Sequence, residues 1–113
     1  DAAVQPAGAT AELALDLARI APFGAGNPEP RFVLPAARVT KADVVGENHV
    51  RWFLTGETGG RLKAISFRSL GEPHGDAILN SNGIPLHIAG HIRVDRWQGR
   101  EEAQLIIEDV AGV

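Results

Sequence analysis

The fold of this chain is decided by the stretch Pro22-Phe23-Gly24-Ala25-Gly26-Asn27-Pro28-Glu29-Pro30-Arg31-Phe32. Its three prolines remove backbone donors and fix φ, and its two glycines permit positive φ, so neither a helix nor a central strand continues through it. The aromatic residues at its ends, Phe23 and Phe32, predict that this corner is pinned to a core. A flexible Gly/Ser linker would carry neither aromatic residue.

Upstream of the corner, the sequence has helical periodicity. Leu13, Leu17 and Ile20 recur at helical spacing, and Thr10 is placed to cap the first turn. We therefore predict one amphipathic helix that ends at Ala21. Residues 1–9 are small and featureless, which predicts a disordered or linker segment before a helix-and-corner unit over 10–31.

Downstream of the corner, the period of the apolar residues changes from 3.6 to 2. In the second strand Val50, Trp52 and Leu54 share one face, and Arg51 lies on the other. Pro35 confines the first strand to a sheet edge or a bulge. Five strands are predicted, at 32–45, 49–55, 61–68, 85–97 and 103–110. A short helical turn is predicted at 76–80.

This order of elements predicts the fold class. It is mainly β, a five-stranded OB-fold Greek-key barrel over residues 32–113 preceded by an N-terminal α-helix. An SH3-like barrel is the second possibility, because strand patterns alone seldom separate the two.

The amino-acid composition limits the classes of protein to which this chain can belong. The chain has 113 residues, of which 44% are hydrophobic, which suits one domain with one core. It contains no cysteine, so neither a disulfide framework nor a thiolate metal site is expected. It begins with Asp1 and lacks methionine, from which we expect a segment of a longer protein. No apolar run approaches the ~20 residues of a membrane span, and we expect a cytoplasmic location without membrane contact.

The formal net charge of −3 conceals a basic middle. Residues 1–30 carry net charge −3 and residues 101–113 carry −4, whereas residues 31–100 carry +4. A polyanion responds to the local field more than to the average charge. Nucleic acid therefore stays a candidate partner.

The strongest candidate site is the tip of the last predicted hairpin. Three arginines and one tryptophan surround the Gly99 turn there, namely Arg93, Arg96, Trp97 and Arg100. An aromatic ring flanked by guanidinium groups is typical of a platform for an unpaired base. The alternative is a tryptophan folded back over the barrel mouth, with ordinary surface arginines beside it.

A second basic set lies on the second and third predicted strands, which form the usual nucleic-acid face of an OB-fold. Its members are His49, Arg51, Lys63 and Arg68. Arg51 faces away from the apolar side of its strand, whereas Lys63 shares its phase with Ile65, which predicts that its stem covers apolar surface. The alternative interpretation is a solvated sheet face.

The sequence contains no catalytic constellation, and no metal or cofactor site is predicted in this segment. Gly24 and Gly26 precede a strand rather than a helix, so they do not form a phosphate loop. His87 and His91 would be about 13 Å apart on a strand, too far to share a metal. The acids of the last strand split between its two faces, which suits a role in protecting a sheet edge.

Three segments of the chain resemble motifs of the RecJ family, bacterial exonucleases that degrade single-stranded DNA from the 5′ end. The corner from Pro22 to Phe32 is the most specific. Residues 45–51, Val-Gly-Glu-Asn-His-Val-Arg, and residues 96–109, from Arg-Trp-Gln-Gly-Arg-Glu to Gln-Leu-Ile-Ile-Glu-Asp, also resemble family elements. The resemblance covers roughly residues 10–110 and corresponds to the family's OB-fold domain.

The resemblance implies a role in DNA repair and recombination. In the family, Asp and His motifs of the DHH and DHHA1 domains hold Mn²⁺ or Mg²⁺ and perform the cleavage, and none of those motifs occurs here. This chain is therefore expected to hold and orient single-stranded DNA for a catalytic core elsewhere in the same polypeptide. The alternative is a structural or docking domain that braces that core, or recruits a partner such as single-strand-binding protein, without contacting DNA.

Overall fold

A computed structural model describes residues 2–21, 23–24, 26, 28–45, 49–56, 59–66 and 83–112 of the chain, apart from the side chains of 41–50, 59 and 97. The helical turn predicted at 76–80 and the side chain of Arg68 lie outside the described residues. The predicted mainly-β class with an N-terminal helix is confirmed. The elements are β1 (Ala2–Ala3), a 3-10 helix (Pro6–Gly8), α1 (Ala11–Arg19), β2 (Phe32–Val45), β3 (His49–Gly56), β4 (Gly59–Ser66), β5 (Leu86–Trp97) and β6 (Arg100–Gly112).

The strands form one sheet in the order β1-β2-β3-β4-β6-β5, and β2 also pairs with β5. The pairs β2–β3, β3–β4 and β5–β6 are antiparallel, whereas β1–β2 and β4–β6 are parallel. The β2–β5 pairing joins β5, at one end of this order, to β2, next to the other end, which is consistent with an OB-like barrel. The sheet has six strands rather than the predicted five because Ala2 and Ala3 pair in parallel with Phe32 and Val33.

The segment before α1 differs from the expectation of a disordered or linker segment. Residues 2–9 lie against the sheet: the backbone N–H of Val4 donates to Val33 O at 2.9 Å, and Pro6 and Ala9 are buried. The 3-10 helix packs against β4 and β3. The sequence pattern missed this segment because small residues can be buried without leaving an amphipathic period.

Helix α1 begins as predicted. The Oγ1 of Thr10 accepts from the backbone N–H of Leu13 at 3.2 Å and so satisfies one of the free donors of the first turn. Ala14 is buried, and the helix packs on β5 and β6. Regular helix ends at Arg19, two residues before the predicted end. Within the described part of the chain, no helix has both the length and the apolar character needed to cross a membrane.

The interior of the sheet follows the predicted phases on β3 and β5. Trp52 and Leu54 are buried on β3, and Ile88 and Ile92 are buried on β5. On β4 the buried side chains are Leu62, Ala64 and Ser66, whereas Ile65 is only half-buried. Lys63 and Ile65 therefore lie on the outer face of the sheet.

Pro35 marks a bulge, as expected. The β2–β5 register shifts between Leu34 and Ala37, and Ala36 takes a φ of 51°. The backbone N–H of Ala36 leaves the ladder and donates to Nδ1 of His87 at 3.1 Å. The bulge thus keeps its donor paired although the ladder is interrupted.

The end of the corner is fastened to β5 by polar contacts. The Nδ1 of His91 lies 2.9 Å from Pro30 O, and its Nε2 contacts the carboxylate of Glu108 on β6. Glu29 accepts two hydrogen bonds from Arg93. Phe32 packs against the core cluster, so the end of the corner is attached both to β5 and to the core.

Candidate nucleic-acid interface

The outer faces of β3 and β4 carry the residues that the strand phase directs away from the core. Arg51 and Phe53 alternate with the buried Trp52 and Leu54. The register places Phe53 opposite Lys63. The outward side chains of the two strands therefore form one continuous surface.

This surface forms one wall of a groove of about 830 Å³, which we call the outer groove. The other wall comes from β5 and β6. The polar and aromatic lining residues are Arg51, Phe53, Arg61 and Lys63 on one side and Asp95, Glu101, Glu102 and Gln104 on the other, with Ile65 and small residues from the end of the 3-10 helix and the start of α1 completing it.

Arg61 and Phe53 form a stacked pair in the outer groove. The guanidinium carbon of Arg61 lies 3.8 Å from the centroid of the Phe53 ring. Such a contact holds the cation against the face of the ring, and the Arg61 side chain stays exposed. Neither residue was among the predicted site residues, although Phe53 shares its phase with Arg51 and Arg61 follows a Gly-Gly turn.

Lys63 lies in the outer groove, but its charge is used within the protein. Its side chain is 16% exposed, and its Nζ contacts Asp95 and lies 3.5 Å from Glu102 Oε2. Two carboxylates beside one ammonium leave little positive potential for a phosphate. Arg51 is exposed on the same face, and its role in binding stays a prediction.

Two arginines of the predicted hairpin site are also paired with carboxylates. Arg93 donates from Nε and Nη2 to Glu29 at 3.2 and 2.9 Å, and these hydrogen bonds raise the pKa of Arg93. Arg96 donates from Nε to Glu101 at 3.1 Å. The Arg93–Glu29 contact was missed because the two residues are 64 positions apart in the chain.

At the hairpin tip, Trp97 and Arg100 are paired across a turn in which Gln98 and Gly99 have positive φ. Arg100 is exposed and has no ion pair among the described residues. The side chain of Trp97 lies outside the description. The structure thus places Arg51 and Lys63 together in the outer groove and separates Arg93 from them.

A second groove, of about 360 Å³, lies between α1 and β5. It is lined mainly by apolar side chains, including Leu17, Phe23 and Ile92, with Arg93 and Arg96 at its border. Ile20, at the end of the helix, is 53% exposed. This combination of an apolar groove and an exposed large apolar residue is typical of a protein-contact surface.

Comparisons with known proteins show that the chain is similar to RecJ proteins. The family model described as "RecJ OB domain" matches residues 1–109. The chain is also 27% identical over 104 residues to the single-stranded-DNA-specific exonuclease RecJ of Bacillus subtilis (strain 168). That match covers 90% of this chain and 13% of the relative, so the chain spans a small part of the relative's length.

Proposed function

The chain belongs to the RecJ OB domain family, and from that membership we propose that it binds single-stranded DNA in the outer groove. It would hold and orient the strand for the catalytic core of a RecJ-like exonuclease, which lies elsewhere in the polypeptide and would use Mn²⁺ or Mg²⁺. The named activity of the Bacillus subtilis relative, specific for single-stranded DNA, supports this proposal.

The observation that carries the proposal is the stack of Arg61 on Phe53 beside Arg51. Unpaired bases stack on aromatic rings and on guanidinium planes, and the exposed guanidinium group of Arg61, which lies over the Phe53 ring, offers such a plane in the outer groove. Base stacking contributes about 1–3 kcal/mol per base and is tolerant of sequence. The arginines supply the sequence-independent attraction to phosphates.

The ion pairs within the protein decide which cationic side chains are available to bind phosphate. Lys63, Arg93 and Arg96 each have a carboxylate within hydrogen-bond distance, so a phosphate would have to displace that carboxylate first. Arg61 and Arg100 have no carboxylate partner in the described part of the chain. We therefore assign phosphate binding mainly to Arg61 and Arg100, and keep Arg51 as a contact predicted from its place on the outer face of β3. Trp97 remains a proposed stacking residue whose test is the Trp97→Ala variant.

The test measures fluorescence anisotropy of a labelled oligonucleotide at about 50 and 200 mM salt. Arg61→Met keeps much of the apolar stem and removes the charged plane. We expect it to weaken binding by roughly fivefold or more and to reduce the slope of log K against log salt by about 0.7, the value for one phosphate contact on a single strand.

The matched control is the double variant Lys63→Met/Asp95→Asn, which removes an existing ion pair and leaves the net charge unchanged. We expect its affinity to stay within about twofold of the parent because the pair contributes no free cation. Equal losses in both variants would contradict the assignment of Arg61. A parent chain without salt-sensitive binding would remove the proposed function.

The second candidate function is a bracing or docking domain that does not touch DNA. The apolar groove between α1 and β5, with Ile20 exposed beside it, favours this alternative. It predicts that the intact chain shows no salt-sensitive binding to oligonucleotides, and that Ile20→Glu weakens association with the remainder of the polypeptide.

A further inference from the structure

The two walls of the outer groove carry opposite charge. Arg51 and Arg61 lie on the β3–β4 side. Asp95, on β5, and Glu102, on β6, lie on the other side, opposite each other in the β5–β6 register. A phosphate is attracted to the first wall and repelled by the second, so a bound single strand has its phosphates towards β3 and its bases towards β6.

The carboxylates of the acidic wall are not equivalent. Asp95 makes the closest contact with Lys63, and Glu101 accepts a hydrogen bond from Arg96. Glu102 lies farther from Lys63, at 3.5 Å, and is 53% exposed. Glu102 is therefore the carboxylate with the most acceptor capacity left for a ligand.

Glu102 has a neutral polar neighbour on the same face of β6. Gln104 is half-buried in the outer groove, in register with Lys63 on β4. Its side-chain amide makes no hydrogen bond among the residues that the structure describes. A charged acceptor and an amide with unused capacity thus lie two residues apart where the bases would face.

An acceptor-only group distinguishes the Watson–Crick edges of the bases. Guanine presents two neighbouring donors, N1–H and N2–H, which match the two oxygens of a carboxylate. Thymine presents one N–H between two carbonyl oxygens, and a carboxylate repels both of these oxygens. Adenine and cytosine present one amino group beside a ring acceptor, so they fall between these limits.

Resting on the proposed function, we propose that Glu102 is a specificity-determining residue that contacts the Watson–Crick edge of guanine in a single strand bound in the outer groove. Arg51 and Arg61 hold the phosphates of the same strand on the opposite wall. The groove then prefers strands that contain guanine to strands of thymidine alone.

The test compares two labelled oligonucleotides of about 15 nucleotides, a length that fills one OB-fold site. One contains only thymidine, and the other carries isolated guanines that cannot assemble into four-stranded structures. With the parent chain, we expect binding about fivefold tighter to the guanine oligonucleotide, which corresponds to about 1 kcal/mol.

Glu102→Gln should lower this ratio to below about twofold, since an amide can pair with either base. The loss of one negative charge should also tighten binding to both oligonucleotides. Glu101→Gln removes the same charge from the same wall and serves as the control. It should tighten binding to both oligonucleotides while leaving the ratio unchanged.

A parent ratio near one would overturn the inference, as would an unchanged ratio in Glu102→Gln. A fall in the ratio of equal size in both variants would show a general charge effect and would overturn it too. If the parent binds neither oligonucleotide, the proposed function fails and this inference fails with it. If the parent binds both oligonucleotides and Glu102→Gln leaves the ratio unaltered, only the inference about Glu102 fails.

Discussion

A side chain at Gly90 should destabilise the pairing of β5 with β6. This residue is buried in β5, between β2 and β6, next to a register shift. A Cβ at this position would lie against the carbonyl oxygen of Ile106, 2.9 Å from its carbonyl carbon and 3.0 Å from the Cα of Ile107. These are backbone atoms of a paired strand, so they cannot move aside as a flexible side chain would.

The size of the effect follows from two opposing terms. Forcing an extra methyl group into a packed interior costs about 1–3 kcal/mol. Replacing glycine by alanine also restricts the unfolded chain, which offsets about 0.4–1 kcal/mol of that cost. We therefore expect Gly90→Ala to lower the free energy of unfolding by roughly 1–2 kcal/mol, and Tm by about 5 °C or more.

The assay is urea unfolding followed by tryptophan fluorescence, together with a thermal scan. Gly26→Ala is the matched control, because a Cβ at the exposed Gly26 would meet no atom within 4 Å. Its free energy of unfolding should stay within about 0.5 kcal/mol of the parent. If Gly90→Ala were as stable as this control, the close approach of β5 and β6 at Ile106 would be refuted.

Three further variants test local contacts. Thr10→Ala should lower the free energy of unfolding by about 1 kcal/mol through loss of the cap on Leu13, and Thr10→Ser should restore most of it in the same urea assay. Gly99→Ala should cost about 1–2 kcal/mol, measured by calorimetry, because Gly99 has a φ of 75°. Glu29→Gln should lower the free energy of unfolding by less than about 1 kcal/mol, since Arg93 is largely exposed. It should leave oligonucleotide affinity within about twofold, because Arg93 lies outside the outer groove. A large gain of affinity in Glu29→Gln would place Arg93 in the DNA site after all, because the change releases its guanidinium group from the carboxylate.

The periodicity of the apolar residues and the positions of proline, glycine and capping residues were sufficient to predict the main elements. The cap at Thr10, the inward phase of Trp52 and the bulge at Pro35 each depend on residues within a few positions of one another, and each was predicted correctly. The β1 strand was not predicted because its two alanines pair with residues 30 positions later. A two-residue strand has no period to detect.

The candidate site was predictable only in part, for a related reason. The phase of β3 placed Arg51 on the outer face, but the contacts of each cation depend on distant residues. Lys63 meets Asp95, and Arg93 meets Glu29, across separations of 32 and 64 residues. Sequence shows how many cations a strand carries, whereas the fold decides which of them already have a carboxylate.

These pairings also change how the net charge should be interpreted. The basic middle of the sequence suggests a broad field for a polyanion, yet Lys63, Arg93 and Arg96 are matched by carboxylates that fold back onto them. Among the residues that line the outer groove, the arginines lie on the β3–β4 side, opposite an acidic wall. A divided groove of this kind orients a strand more strongly than it attracts one, because moving the phosphates to the other wall reverses the sign of the interaction. Orientation is what a module that presents DNA to a separate catalytic core would need.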